Sequence, residues 1–570
     1  MKRIIITTLS ILSLLFTTSC EKDFEEINTN PNKPQEYLPY ALFNGANYAI
    51  IYYLRRSDNS ASRMRGWMQY TAQTTYTDES RYRAAQADGE NLWFNLYKRM
   101  NSYKEIIEMN TDPVKKKTAA DYGKNENQIA AARIMLAYGF SLVVETFGDA
   151  PYYSYGDSNN PHFQGLQIEE HITPVYASQK EIYLDIFKEL KAAADMIVGS
   201  DTDQVFTQGD FIFGSVGKMK RFANSLRLRI ANHLKDSRDP ELRQVAENIV
   251  EYYRSANTER ELLQATETVE LEFENSYVYP SPIFNDYFVD NRLDYAPSNV
   301  FVKFLLGNNK KANDRGTLNF GRDPRVTRIC TPIGIQNKWK ALGGEYTTYD
   351  IMTNPADTIH YKGMPYGMVK GTTSNQFKGG EGISLFSEAQ LKATAPEVFM
   401  SYAEVCFILS EIRNWDQTWY EKGIRASMAE WKVPEAQVNA FMSRTMPAAF
   451  QETVLTQKYI ALYRNPNEGW TEYRRTGFPK FLIRTGEKVR ANYTLEANAD
   501  ASIEANYMYT FLSMETGIQR IPDRISYPTL YTGVNRENYE RALSNMGLTP
   551  DNDQTSGRTH KLLFAENRPD

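Results

Sequence analysis

The sequence predicts a mainly α-helical protein, in which helix pairs flank a long insertion rich in loops. Residues 41–257 read as mostly helical, and helical patterning returns over residues 396–480. Between them, over residues 258–395, proline, glycine, asparagine and tyrosine interrupt short β-prone pieces, and residues 481–570 look irregular again. Paired helices with short connections favour a solenoid of helix pairs with one long mixed insertion.

Three early segments support the helical prediction. Residues 128–147 (QIAAARIMLAYGFSLVVETF) are apolar nearly all round and rich in alanine, as expected of a buried helix. Ser178 and Glu181 form a capping box that opens a second helix. Residues 216–234 repeat apolar side chains at helical spacing and predict a third.

Later segments give shorter elements. Residues 268–273 and 276–279 are β-prone, and we expect strands there. Residues 396–413 and 452–463 have helical patterning. The insertion should therefore end where the late helices begin.

The first nineteen residues predict a secretory signal peptide. A basic pair precedes an apolar run at residues 4–16, which is too short to cross a hydrocarbon core of about 30 Å. The run ends in Thr-Thr-Ser-Cys20, which resembles a bacterial lipobox, with Cys20 acylated as the mature N-terminus. An ordinary signal peptide beside a chance cysteine is the alternative. We expect residues 20–40 to form a lipid anchor and flexible tether.

Composition excludes several classes of protein. Charged residues number 65 basic against 70 acidic, a net charge of −5, and this balance argues against a nucleic-acid partner. Cysteines are too few and scattered for a disulfide framework or a thiolate zinc site. We expect Cys330 and Cys406 to be reduced, unpaired thiols.

Several blocks, in order along the chain, resemble SusD/RagB-family outer-membrane lipoproteins of Bacteroidota. The blocks are DFEEINTNPNKP after the lipobox, AARIMLAYGFSLVVETFGDAPY at 131–152, GDFIFGSVGKMKRFANSLRLRIA at 209–231, FMSYAEVCFILSE at 399–411, QKYIALY at 457–463, YRRTGFP at 473–479 and IPDRISYP at 521–528. Together these blocks are specific, although each alone would be weak.

The resemblance implies a fold, a partner and a location. Four tetratricopeptide-type helix pairs would support a variable region that holds the ligand, with residues 41–570 as a single SusD-like binding domain. The partner implied is a SusC-like, TonB-dependent outer-membrane transporter, over which the lipoprotein sits as a hinged lid facing the cell exterior. Family members usually take glycans, and some take peptides.

Most matching blocks have a structural explanation. Arg474, Arg475 and Arg524 can form fixed guanidinium forks that tie loops to helices. Asp323 and Arg325 flank a proline and are expected to fix a turn.

A catalytic constellation is hard to find in the sequence. The five histidines are dispersed, and there is no G-x-S-x-G elbow. A phosphate-loop-like stretch at 214–218 has the wrong glycine spacing, and a calcium-loop-like stretch at 551–562 lacks its glycine and closing glutamate. We therefore expect no enzyme activity, no metal and no organic cofactor. A surface glycoside hydrolase stays a rival, because a carboxylate pair cannot be recognised from sequence.

The aromatic content, with 38 tyrosines, suits sugar binding. Tyrosine offers a flat apolar face and a polar handle, and polar neighbours can read sugar hydroxyls. We predict ligand-binding residues in two loop clusters, and Tyr361–Tyr366 is a third candidate. The predicted residues are Tyr76, Asp78, Arg81 and Tyr82 in the first cluster, and Tyr287, Arg292 and Tyr295 in the second.

The sequence thus predicts a surface lipoprotein that binds an oligosaccharide and passes it to a partner barrel. A peptide-binding lipoprotein of the same transporter type is the alternative within binding proteins. A plain helical-repeat adaptor would lack any aromatic platform. Trp93 and Tyr97, four residues apart on a helix, are expected in the core.

Overall fold

The structure, a computed structural model, describes most of the chain after the tether. The described residues are 37–56, 63–83, 86–307, 318–332, 361–368, 383–444, 446–490 and 508–569. The predicted signal peptide, Cys20 and nearly all of the tether lie outside them.

The described part of the chain is mainly helical, as the sequence predicts. Its α-helices are α1 Pro39–Arg55, α2 Arg63–Trp67, α3 Gln86–Thr111, α4 Lys115–Ala119, α5 Asn125–Phe147, α6 Gln179–Met196, α7 Val216–Leu234, α8 Pro240–Arg254, α9 Pro282–Phe284, α10 Asn299–Leu305, α11 Val326–Ile329, α12 Glu388–Leu391, α13 Tyr402–Ile412, α14 Gln417–Glu430, α15 Glu435–Met442, α16 Gln451–Ala461, α17 Pro466–Thr476, α18 Thr529–Val534, α19 Arg536–Asn545 and α20 Pro550–Asp553.

In the described part of the chain, short strands form three two-stranded antiparallel sheets. The strands are β1 Thr71–Gln73, β2 Val269–Leu271, β3 Tyr295–Pro297, β4 Glu397–Met400, β5 Lys488–Arg490 and β6 Met508–Thr510. β1 pairs with β3, β2 with β4, and β5 with β6. Two of these sheets tie the insertion to distant parts of the chain.

The long helices pack in chain order, each against the next. α1 contacts α3, α3 contacts α5, and the series continues through α6, α7 and α8, while α13 packs on α14 and α16. Arg229 on α7 pairs with Glu404 on α13 at 2.5 Å and so joins the early helices to the late ones. This succession fits the helix-pair architecture that the sequence predicts.

α5 is a long and deeply buried helix. Among the described residues it is the one helix long and apolar enough to cross a membrane, and nearly all of that span lies inside the protein. Gly139 faces the Met100 side chain, so that an added Cβ would lie 2.7 Å from its sulfur. These neighbours identify α5 as the centre of the helical core.

Several helix starts follow directly from sequence. Ser178 accepts a hydrogen bond from the Glu181 backbone, and the Glu181 carboxylate accepts one from the Ser178 backbone, as the predicted capping box requires. Ser215 caps α7 by accepting a hydrogen bond from the Lys218 backbone at 3.2 Å. The sequence-predicted bounds 216–234 coincide with those of α7.

Three local predictions are wrong. Residues 276–279 form a bend held by the Ser276 hydroxyl and pair with no strand of the described chain. The helix predicted over 396–413 begins only at Tyr402, because β4 pairs with β2 before it. Residues 481–570, which the sequence predicts to be irregular, contain the short helices α18 to α20 in their described part.

The predicted turn at Asp323–Arg325 and the predicted arginine forks are confirmed, and Arg475 makes its fork with both carboxylate oxygens of Glu411 at 2.8 Å. Arg325 pairs with Asp323 at 2.6 Å and donates to Gln457 of α16. Arg474 lies 3.3 Å from the centre of the Trp470 ring and donates to the Asp523 carbonyl. Arg524 pairs with Asp553, and both side chains are fully buried.

The remaining core predictions also hold. Trp93 is buried, and its ring lies 4.8 Å from that of half-buried Tyr97, which donates to the Pro151 carbonyl at 2.6 Å. Cys330 and Cys406 are free and buried, and burial raises the pKa of the Cys406 thiol to about 12. Both thiols are therefore protonated packing groups.

Candidate functional site

The pairing of β1 with β3 brings the first two predicted clusters together. Gln73 of β1 stands opposite Tyr295 of β3, and the Thr74 amide donates to the Asp294 carbonyl at 2.7 Å. The loop that follows β1 contains Tyr76, and the loop that precedes β3 contains Arg292. One short sheet thus places both loops at a common surface.

A pocket of about 130 Å³ opens between these two loops. Its lining combines an exposed ring with charges of both signs. The lining includes the aromatic Tyr76, the polar Gln73, the basic residues Arg55, Arg63, Arg65 and Arg292, and the acidic residues Glu79 and Asp294. Hydrogen-bond donors and acceptors thus surround one aromatic face.

Tyr76 is the predicted tyrosine that reaches solvent. Its side chain is 54% exposed and its backbone φ is 55°, which turns it away from the strand. The Arg292 guanidinium lies 6.0 Å from the centre of the Tyr76 ring and donates to Asp294 at 2.7 Å. Two predicted residues from separate loops therefore form one polar and aromatic group.

The pocket floor is an ordered polar network. The Gln73 side chain donates to Glu79 and accepts from the Ser80 backbone at 3.0 Å. Arg63 pairs with Glu79 at 3.5 Å. Because these groups hold one another, the pocket presents fixed donors and acceptors to a ligand.

Deeper arginines give the pocket wall a permanent positive charge. Arg55 and Arg65 both pair with the buried Glu397 at 3.4 Å. Burial alone lowers the pKa of a guanidinium, but Glu397 outweighs it at Arg65, whose pKa lies above its ordinary value. In Arg55 burial prevails, and the pKa is lowered.

The other predicted residues lie behind this surface. Arg81 is buried, with Nε donating to the Leu512 carbonyl at 2.9 Å, and its guanidinium lies 3.7 Å from half-buried Asp78. Tyr82 is 1% exposed and packs on Phe511 at 5.5 Å. Burial raises the pKa of the Tyr82 phenol. These groups shape the loop from within.

The tyrosines of the second cluster are buried as well. Tyr287 donates to the Tyr295 carbonyl at 2.5 Å, and the Tyr295 hydroxyl donates to Asp286 at 2.9 Å. Tyr361 and Tyr366 of the third candidate are also buried. Tyr295 still lines the pocket with part of its surface.

Sequence reasoning missed several pocket residues. Gln73, Arg63 and Glu79 enter through the β1–β3 pairing and the fold of α2, which no local pattern reveals. Glu79 lies in the same polar stretch as Asp78 and Arg81, so its charge could have identified it as a further binding residue.

A second concave feature is a cleft of about 1640 Å³ beside β2 and α14. Basic and acidic side chains both line its walls, among them Lys218, Arg328, Arg425, Glu270 and Glu430. Burial raises the pKa of Glu430 to about 7. The cleft is therefore suited to a ligand that has charges of both signs.

One buried cluster has donor atoms close enough for a metal ion. These atoms belong to Glu145, His233 and Glu468 and lie within 4.8 Å of one another. However, Nδ1 of His233 faces Glu145 at 3.0 Å and Nε2 faces Glu468 at 2.9 Å. Burial opposes the charged imidazole, but these carboxylates hold the pKa of His233 well above its usual value. The geometry is that of an imidazolium between two acceptors.

A model of a known protein family matches most of the chain. Residues 31–496 match the SusD-like family model described as starch-binding and associating with the outer membrane. Among curated proteins none matches the chain.

Many solved structures share the fold. A SusD homolog from Parabacteroides distasonis has a TM-score of 0.65 and 20% identity, with 93% of this chain and 98% of that chain covered. A chitin-binding SusD homolog from Flavobacterium johnsoniae has a TM-score of 0.60, 20% identity and the same coverage. An outer membrane protein from Bacteroides vulgatus, described in terms of nutrient binding, has a TM-score of 0.62 and 17% identity, with 93% and 100% covered.

Proposed function

Because the chain belongs to the SusD-like family, we propose that it is a cell-surface lipoprotein that captures an oligosaccharide and delivers it to a SusC-like, TonB-dependent transporter. The proposed binding unit is residues 41–570. The proposed lipid attachment is Cys20, which would hold the protein on the exterior of the outer membrane. The ligand leaves chemically unchanged.

The observation that carries this proposal is the exposed Tyr76 ring beside Arg292 and Asp294. A sugar ring has an apolar C–H face, which can lie on the tyrosine, and a rim of hydroxyls. The guanidinium donates to such hydroxyls, and the carboxylate accepts from them. Because Arg292 already pairs with Asp294 at 2.7 Å, both groups are oriented before ligand arrives.

The proposal assigns different roles to the seven predicted residues. Tyr76 and Arg292 contact ligand, and Asp78 borders them on the same loop. Arg81, Tyr82, Tyr287 and Tyr295 position the two loops from beneath.

Binding without catalysis is favoured by the pairing of the pocket carboxylates. Glu79 is held by Arg63 and Gln73, and Asp294 by Arg292. Retaining and inverting glycosidases need one carboxylic acid that donates a proton to the leaving group. A carboxylate fixed by a guanidinium serves as an acceptor instead.

The charged cleft favours one alternative, peptide capture. A peptide has amide groups and charges of both signs, and the cleft walls offer complementary partners such as Arg328, Arg425 and Glu270. Its volume of about 1640 Å³ exceeds the pocket tenfold. On this alternative the cleft, and not Tyr76, would contact the ligand.

Calorimetry of the protein without its lipid, against maltoheptaose, chitin hexamers and mixed peptides, tests the two functions. We expect heat from an oligosaccharide, and Tyr76→Ala should weaken that binding about tenfold, the loss of roughly 1.4 kcal/mol. Tyr252→Ala is the matched control, because Tyr252 on α8 is 50% exposed and lines neither the pocket nor the cleft. Heat from peptides alone, unchanged by Tyr76→Ala, would overturn the glycan proposal.

A further inference from the structure

A second group of tyrosines lies at the surface outside the pocket. Tyr48 and Tyr52 lie one turn apart on α1, and both are half-buried. Tyr277 and Tyr279 follow β2 in the insertion and are 71% and 48% exposed. We name these four residues the aromatic row.

Three rings of the aromatic row contact one another, and the fourth, Tyr277, packs on Phe284 with ring centroids 6.0 Å apart. The rings of Tyr48 and Tyr52 are stacked, with centroids 5.2 Å apart and an angle of 21° between planes. Tyr279 meets Tyr48 edge to face at 5.0 Å. The Glu274 amide donates to the Tyr279 carbonyl at 3.0 Å, and the Ser276 hydroxyl accepts from the Tyr279 amide at 3.2 Å. The bend is thus ordered by its own hydrogen bonds while its rings face solvent.

Direct contacts connect the row to the pocket. The Arg56 guanidinium lies 5.5 Å from the centre of the Tyr52 ring and pairs with the exposed Asp290. Asp290 and Asn291 are exposed, and the next residue, Arg292, lies beside the Tyr76 ring. The surface from Tyr76 to Tyr279 is therefore continuous, with rings and charged groups along it.

The pocket is too small to enclose a long sugar chain. Typical small-molecule pockets enclose at least about 300 Å³, against about 130 Å³ here. One sugar unit is as much as such a pocket can enclose, so that a longer chain has to continue over the neighbouring surface. The neighbouring surface with exposed rings is the aromatic row.

We infer that the aromatic row is a second sugar-binding surface, which extends the Tyr76 pocket and selects long glycan chains over short ones. This inference rests on the proposed function. Ring faces stack on successive units with little dependence on hydroxyl pattern, because each sugar presents an apolar face. Arg56, between the row and the pocket, offers hydroxyl-binding donors to the intervening unit.

The row also approaches the charged cleft. Phe273 lines the cleft and packs edge to face on Tyr48 at 5.6 Å. A long chain on the row would therefore run from the pocket toward the cleft mouth. A protein partner that covers the row is the competing occupant, and the test separates the two.

The test compares short and long chains of the same sugar by calorimetry, with maltotriose and maltoheptaose, and with the chitin trimer and heptamer. The double variant Tyr277→Ala, Tyr279→Ala should bind the long chain about tenfold more weakly and the short chain as the wild type does. Tyr76→Ala should weaken both lengths. Tyr252→Ala should change neither, and thermal melting of each variant should match the wild type because the replaced rings are exposed.

Three outcomes decide the inference. Loss confined to long chains supports it. Unchanged long-chain affinity in the double variant, with Tyr76→Ala still weakening it, overturns the inference and leaves the proposed function standing; a row covered by a protein partner predicts this result. If no sugar of either length binds the wild type, the proposed function fails and the inference fails with it.

Discussion

Replacing His233 by glutamine should lower the free energy of unfolding by about 3 to 5 kcal/mol. The imidazole is buried between Glu145, at 3.0 Å, and Glu468, at 2.9 Å. A hydrogen bond to a charged group contributes about 1.5 to 3 kcal/mol, and the histidine makes two. Glutamine removes the cation that Glu145, Glu468 and Glu472 share. Arg229 still faces Glu468 and Lys458 still pairs with Glu472, so that the loss falls mainly on the buried Glu145.

The loss should depend on pH in one direction. The pKa of His233 is raised well above 6.5, since the carboxylates outweigh the burial that alone would lower it. A raised pKa contributes stability that is fully present below the unfolded value of about 6.5 and is lost as pH rises through the folded pKa. Wild type and His233→Gln should therefore differ most near neutral and mildly acidic pH and converge in alkaline solution.

Urea unfolding of both proteins at several pH values measures this difference. His162→Gln is the matched control, because the His162–Glu181 pair is exposed and should contribute less than about 1 kcal/mol. A His233→Gln protein within about 1 kcal/mol of wild type would refute the imidazolium network. So would a difference that grows with rising pH.

Two further predictions concern the scaffold and the anchor. Asp553→Asn should destabilise the fold by about 3 to 5 kcal/mol in urea unfolding, because it leaves the fully buried Arg524 without its carboxylate. Glu540→Gln, which breaks an exposed pair with Arg536, should cost much less, and equal losses would contradict this ranking. Cys20→Ser should move the protein from the membrane to the soluble fraction on cell fractionation, and persistent membrane anchoring would contradict the lipid attachment.

The long helices follow from local sequence. The bounds of α7 are predictable because Ser215 caps one end and apolar residues repeat at helical spacing. β4 is not predictable in this way, since Glu397–Met400 is an apolar run that reads as helix until it pairs with β2. β2 does have a local signal, because it lies within the β-prone residues 268–273, but its partner β4 is recognisable only once the two strands pair.

The site is predictable only in part, because it depends on contacts between residues that are distant in sequence. Each loop cluster can be found from its aromatic and polar residues, but their meeting depends on the Gln73–Tyr295 register. Tyr76 and Tyr82 belong to one stretch and both have positive φ, yet one is exposed and the other packs on Phe511. Residues distant in sequence, such as Phe511, determine which of the two tyrosines is buried, and the composition of the stretch does not reveal them. The aromatic row was missed because residues 276–279 resemble a strand.

The most direct measurement is a crystal structure of the protein soaked with the oligosaccharide that gives the strongest calorimetric signal. The proposed function predicts sugar density over the face of the Tyr76 ring, with hydroxyls in hydrogen-bond contact with Arg292 and Asp294. Density for ligand in the charged cleft beside β2 and α14, with the Tyr76 pocket empty, would contradict it.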